Sequence, residues 1–219
     1  MRALVTAFEA FGGARANASS AAVTRLPVRI GALDIVTAQL PASYARSGAA
    51  LIREIEHVKP TFVLCVGEAG ERHELNVERI AINVQDARLA DNDGAQPIDV
   101  PVLKDAPVAY FATLPVRAIH DALIAAHLPA TVSNSAGTFV CNHVMYGVLH
   151  FLNSPSPLGE GRGKTRAGFI HVPYSEDQVL DKPAIAGMSV ATMVKGIEAA
   201  IAAAVTHETD LKLEGGALD

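Results

Sequence analysis

Along the chain, short unbroken apolar runs alternate with apolar positions at helical spacing. Ala3 to Phe8 is one run, and Ile35 to Leu40 is another that stops at Pro41. From Tyr44 to Val58 the residues Tyr44, Leu51, Ile52, Ile55 and Val58 share one helical face, with Arg46, Arg53, Glu54 and Glu56 elsewhere. That spacing predicts an amphipathic helix ending before Pro60. Thr61 to Gly67 then reads as a fully buried, β-branched strand. Strand, helix and strand in this order form a right-handed βαβ unit, and such units build parallel sheets, so the predicted class is α/β.

Further along, Arg79 to Val84 is a candidate strand and Asp91-Asn92-Asp93-Gly94 a strong turn signal. Pro115 to Leu128 has helical spacing through Val116, Ile119, Leu123 and Ile124, with Pro115 at the first helical position. Val140, Val144, Val148 and Leu152, flanked by Met145 and Leu149, give the clearest helix. Asn153 to Ala167, rich in proline, glycine and charge, reads as a solvated loop inside one domain spanning 1–219. Gly168 to Pro173 is a short late strand, Ala184 to Val205 an alanine-rich closing helix, and the last dozen residues are expected to fray.

Composition narrows the function classes. With 219 residues, 50% of them hydrophobic and 19% charged, the chain can build a core, which excludes global disorder. A net charge of −5 without a Lys/Arg run argues against nucleic acid or an anionic membrane as partner. Glu9 interrupts the first apolar run before a secretory h-region forms, and no window has the length of a membrane span. Two cysteines cannot make a disulfide framework. The expected setting is therefore the cytoplasm, with both thiols free.

Cys141 is the most informative single residue. If Thr138 caps the helix that begins near Val140, Cys141 lies in its first turn, where unpaired N–H groups and the positive dipole end favour a thiolate. Cys65, inside an apolar strand, reads as a small core residue. A catalytic thiol needs a base held by a third group. Of eight histidines, His171 stands out because it lies at the carboxyl end of a short buried strand, where open α/β sheets place their sites. Glu68, Glu71, Glu74, Glu78, Asp86 and Asp91 could each hold its tautomer, and spacing does not choose among them. No HExxH, CxxC, GxGxxG or Walker motif is present. Aligning Gly94 with a calcium loop puts Leu89 and Val100 at ligand positions, so no metal or nucleotide cofactor is expected.

Four blocks carry a resemblance. Ala7 to Gly13, Glu78 to Asn83 with Asp86-Ala87-Arg88, Ser135 to Asn142, and Phe169 to Pro173 together resemble the pyroglutamyl peptidase I family of cysteine peptidases, in the family's order and across most of the chain. The resemblance implies a single-domain three-layer αβα sandwich around a mostly parallel twisted sheet. It implies Cys141 as nucleophile, His171 as general base and acid, and Glu78 as the group orienting His171. Phe8, Phe11, Phe139 and Val140 match positions lining an apolar lactam pocket, and Arg88 and main-chain N–H groups near Cys141 are candidates for stabilising the oxyanion. The implied substrates are peptides with N-terminal pyroglutamate, and the implied assembly is a homo-oligomer, often a tetramer.

The chain departs from that pattern at several positions. Ala7 and Ala10 replace the usual Gly and Pro around Phe8, and the loop at 153–167 is longer than the family's link between nucleophile and base. Glu68 stands where the family has a glutamine that contacts the lactam, and Glu71 replaces a glycine. A carboxylate accepts from the lactam N–H but donates to the ring carbonyl only when protonated. These two residues keep open a Cys-dependent amidase of altered acyl specificity, and a non-catalytic binding protein on the same scaffold is the remaining alternative.

Overall fold

The computed structural model describes residues 1–154 and 165–214. Its main sheet contains β1 (Arg2–Phe8), β2 (Arg29–Ile30), β3 (Leu33–Leu40), β4 (Phe62–Glu68), β5 (Leu75–Glu78), β8 (Ala130–Ser133) and β9 (Arg166–Val172). These lie in the order β2-β3-β1-β4-β9-β5-β8. The pairs β1/β3, β1/β4, β4/β9 and β5/β8 are parallel, whereas β2/β3 and β5/β9 are antiparallel. A separate antiparallel hairpin pairs β6 (Ile80–Ile82) with β7 (Ala109–Phe111).

Among the described residues, five α-helices cover the sheet: α1 (Ala18–Val23), α2 (Ser47–Val58), α3 (Val116–Ala125), α4 (Val140–Asn153) and α5 (Val190–Thr206). One core packs α1, α3 and α5 on residues such as Val5, Leu64 and Ile170. The other packs α2 and α4 on Leu4, Val63, Cys65 and Phe169. Side chains alternate across a strand, so a central strand covered on both faces must be apolar throughout; β4 is buried at every position for this reason. The expected three-layer α/β sandwich is the observed fold.

Several local expectations are corrected. Arg79–Val84 is not one strand. Arg79 N donates to the Ser133 carbonyl and Ala112 N to the Arg79 carbonyl, so the chain leaves the main sheet there and starts the hairpin. The closing helix begins at Val190, not Ala184, because Ser189 caps it by accepting from Thr192 N at 3.1 Å. Thr138 does not cap α4. Phe139 occupies the cap position with no side-chain bond, while Thr138 Oγ1 donates to the Asp86 carbonyl at 2.7 Å. Most of the expected loop lies outside the described residues, which resume at Thr165. The tail carries no helix or strand from 207 to 214, yet Asp210 accepts from Arg117 N and Ala118 N at 2.8 and 3.0 Å, supplying the cap that α3 lacks from its own Pro115.

Candidate active site

Three segments meet at the carboxyl end of the central strands. Gly67 on β4 is the register partner of His171 on β9, and Asn76 on β5 faces His171 from the other side. Register partners and residues two apart share a sheet face. The side chains of His171, Asn76 and Glu78 thus project to the side on which α4 packs.

Glu78 is wholly buried and His171 is 4% exposed. His171 Nδ1 and Glu78 Oε1 are 2.7 Å apart. Of the six carboxylates that spacing left open, Glu78, the one the family resemblance implies, holds the imidazole, which fixes Nδ1 as the donor and leaves Nε2 for proton transfer. Phe169 packs on the imidazole at 4.7 Å between ring centroids.

Cys141 is the second residue of α4, in the first turn as expected. Gly137, with φ +78°, supplies the left-handed backbone that turns the chain into this helix. Cys141 Sγ lies 2.9 Å from the position a Cβ on Gly67 would occupy, which brings the thiol to the strand residue paired with His171. Cys141 as a residue is partly exposed, and its thiol lines an aromatic niche. Burial, and next the Glu78 charge, push the thiol up to about 12. The expected resting thiolate is therefore not favoured: the enclosing apolar residues and nearby carboxylate outweigh the helix terminus, and attack requires a base to take the proton.

Phe8, Phe11, Asn17, Ala42, Glu68, Phe139, Val140 and Cys141 enclose a tight niche beside the sulfur. The rings of Phe11 and Phe139 lie 5.7 Å apart, and Tyr44 meets Phe139 edge-on at 5.6 Å. All of the predicted pocket residues except Arg88 come together here. Arg88 lies instead in an adjoining cleft of about 1060 Å³ that shares Phe11, Glu68 and Phe139 with the niche, its guanidinium exposed and 4.0 Å from Glu71.

Glu68 is buried with one oxygen committed. Its Oε2 accepts from Ala18 N at 2.6 Å, at the start of α1, and from Gln178 Nε2 at 2.8 Å. Burial pushes this carboxyl up, and the two donors partly offset that.

Sequence reasoning missed three contributors. Asn142, fully buried, accepts from Ile82 N and donates to the Ile82 and Val84 carbonyls at 2.9–3.0 Å, tying α4 to the hairpin. A polar residue next to Cys141 on an apolar helix was the available signal. Gln178 lies beyond the last recognised block, and Arg72 sits in a charged turn that resembles solvated surface. Among the described residues, no group of three or more His, Cys, Asp or Glu side chains could hold a metal ion.

Fold and site define an α/β protein in which a thiol, a histidine–carboxylate pair and an aromatic niche share one sheet end. A family model described as pyroglutamyl peptidase matches residues 1–207. The chain belongs to the pyroglutamyl peptidase family. It is 47% identical over 217 residues to a pyrrolidone-carboxylate peptidase of Erwinia tasmaniensis, covering 99% of this chain and 98% of that one. Identity to the Alkaliphilus oremlandii pyrrolidone-carboxylate peptidase is 43% over 218 residues, all of both chains. Pyrrolidone carboxyl peptidase from Thermococcus litoralis superposes with TM-score 0.89 at 40% identity, over 97% of this chain and 99% of that one. Pyroglutamyl peptidase I from Bacillus amyloliquefaciens gives 0.90 at 34%, with the same coverage.

Proposed function

We propose that the protein is a cysteine omega-peptidase that removes pyroglutamate from peptide amino termini. The observation that carries this reading is the 2.7 Å His171–Glu78 bond beside a thiol that opens onto an aromatic niche. A pyroglutamyl terminus is a neutral lactam, so its recognition calls for an apolar slot and a few polar contacts rather than an anionic clamp. Phe8, Phe11, Phe139 and Val140 supply the slot, and Glu68, whose Oε1 is uncommitted, supplies a polar contact to the lactam.

Cys141 Sγ attacks the pyroglutamyl carbonyl while His171 Nε2 takes the thiol proton, and Glu78 stabilises the imidazolium formed. The oxyanion is met by main-chain N–H groups in the first turn of α4, whose cap residue offers no side-chain acceptor. His171 returns the proton to the departing amine, leaving a thioester. Water deprotonated by the same imidazole then releases free pyroglutamate and the thiol. Arg88, in the outer cleft, contacts the peptide beyond the scissile bond.

Free Cys65 and Cys141 thiols fit a reducing compartment, the cytoplasm. Val108 and Phe111, 87% and 66% exposed at the β6–β7 hairpin, favour a homo-oligomer that covers them, a tetramer being the family-like arrangement. Hydrolysis of a fluorogenic pyroglutamyl amide tests the activity. The expected result is amine release by the wild type and none by Cys141→Ser. Cleavage of other acyl amides with none of pyroglutamyl amides would replace this reading with the amidase, and no turnover of any amide would replace it with the binding protein.

A further inference from the structure

Arg72 takes no part in the chemistry above, yet it makes one of the shortest ion pairs in the molecule. It sits in the turn between β4 and β5, where its N–H donates to the Ala69 carbonyl at 3.0 Å. Its guanidinium forks between two targets. Nη1 donates to Glu78 Oε1 at 2.6 Å and Nη2 to the Ser135 carbonyl at 3.0 Å. Glu78 Oε1 therefore receives two donors, Arg72 and His171, while Oε2 is buried without a hydrogen-bond partner among the described residues. Ser135 opens the segment that passes through Gly137 into α4 and Cys141.

We infer that Arg72 is a positioning residue for the reaction: its forked guanidinium ties the carboxylate that holds His171 to the segment that delivers Cys141, so base and nucleophile keep one relative placement. This rests on the roles proposed for Cys141 and His171. A fork with fixed geometry suits the task because one planar group satisfies two acceptors without free rotation between them. The charge has a second effect. The ionisable groups acting on the thiol are Glu78 from β5, Cys65 and Glu68 from β4, and Arg72; Tyr44, from the turn before α2, is itself raised first by burial and also by Cys141, and His171 on β9 is the register partner of Gly67 beside the sulfur. Glu78, Cys65 and Glu68 raise the thiol, and Arg72 lowers it. Without the guanidinium, the Glu78 charge would be shared with the imidazole alone.

The test uses the full chain carrying Arg72→Gln or Arg72→Lys, with kcat and KM on a pyroglutamyl amide and the rate of Cys141 alkylation by iodoacetamide from pH 6 to 10. For Arg72→Gln, kcat should fall about 10- to 100-fold with KM within about threefold. Alkylation should slow about three- to tenfold at each pH, because less thiolate is present. Arg72→Lys should bring alkylation back to within about twofold of wild type, since it keeps the charge. It should recover only part of kcat, since one ammonium does not reproduce the fork. A kcat within about twofold of wild type in Arg72→Gln, or a loss of kcat with an unchanged alkylation profile, overturns the inference. If Arg72→Gln does not fold, by melting and near-ultraviolet circular dichroism, Arg72→Lys decides: full kcat in that variant overturns the forked role. A wild type that alkylates at Cys141 but does not hydrolyse the amide would sink the peptidase reading separately, and the alkylation comparison would still decide whether Arg72 acts on the thiol.

Discussion

Gly67 and Cys141 share a space with no room for another carbon: a Cβ on Gly67 would stand 2.9 Å from Cys141 Sγ and 2.7 Å from Phe169 Cζ. Real Cβ atoms do not approach so closely, and both neighbours are fixed, one in the first turn of α4 and the other inside the core. In Gly67→Ala the sulfur or the ring must therefore move. Overpacking of this kind costs about 1–3 kcal/mol. A displacement near 1 Å at the reacting atom costs about 100-fold in rate. Thermal melting and kcat/KM on a pyroglutamyl amide check both, and an alanine variant with wild-type kcat/KM would refute the crowding argument.

The two thiols should separate by accessibility. Cys65 is fully buried in β4 and pushed up to about 12 by that burial, whereas Cys141 opens onto the niche. Ellman titration of the native protein should count one slowly reacting thiol, none in Cys141→Ser, and two for the wild type in denaturant. Because Cys141 is itself pushed up to about 12, its alkylation should climb with pH without levelling off by about pH 10. A plateau below about pH 8 would mean that a thiolate preexists at rest.

Glu68→Gln should tighten substrate binding without changing the chemistry. The amide oxygen can still accept from Ala18 N, so the start of α1 keeps its partner. The side-chain NH2 adds a donor for the lactam carbonyl, which the ionised carboxylate lacks. KM for a pyroglutamyl amide should fall several-fold with kcat little altered. A raised KM would show instead that the carboxylate itself is the preferred acceptor of the lactam N–H.

The legible parts of this fold are those where hydrophobic period and burial agree. β4 and α4 read directly, because one is apolar at every position and the other carries a four-residue stripe. β5 did not, because its side chains on the α4-packed face are Asn76 and Glu78, buried polar groups that look like surface in a one-dimensional pattern. Buried polar side chains hid the strand. The same applies to Arg72, whose partners Glu78 and Ser135 are 6 and 63 residues away. Cys141 and His171 stood out locally, through a helix start and a strand end. Only the family resemblance singled out Glu78 among six carboxylates, because the strand register that brings it to His171 is encoded by no local spacing.

Asp93 gives a pH-dependent contribution whose sign is fixed by its partners. Arg46, which pairs with it at 2.7 Å, and then the Ser43 hydroxyl at 2.6 Å lower its carboxyl from 3.8 to about 2. A carboxyl depressed in the folded state binds its proton more readily when unfolded, so it stabilises the fold above its unfolded value and loses that contribution as pH falls through its folded value. The window is therefore between about pH 4 and pH 2. Asp93 ties the 91–95 turn to the segment that carries Tyr44, whose ring braces Phe139 in the niche. Asp93→Asn should melt below the wild type at pH 7, with the gap closing across that window and narrowing at high salt, since the pair is exposed. Melting curves at pH 7, 4 and 2 decide it: a gap that persists at pH 2, or none at pH 7, would mean that the ion pair does not anchor the turn.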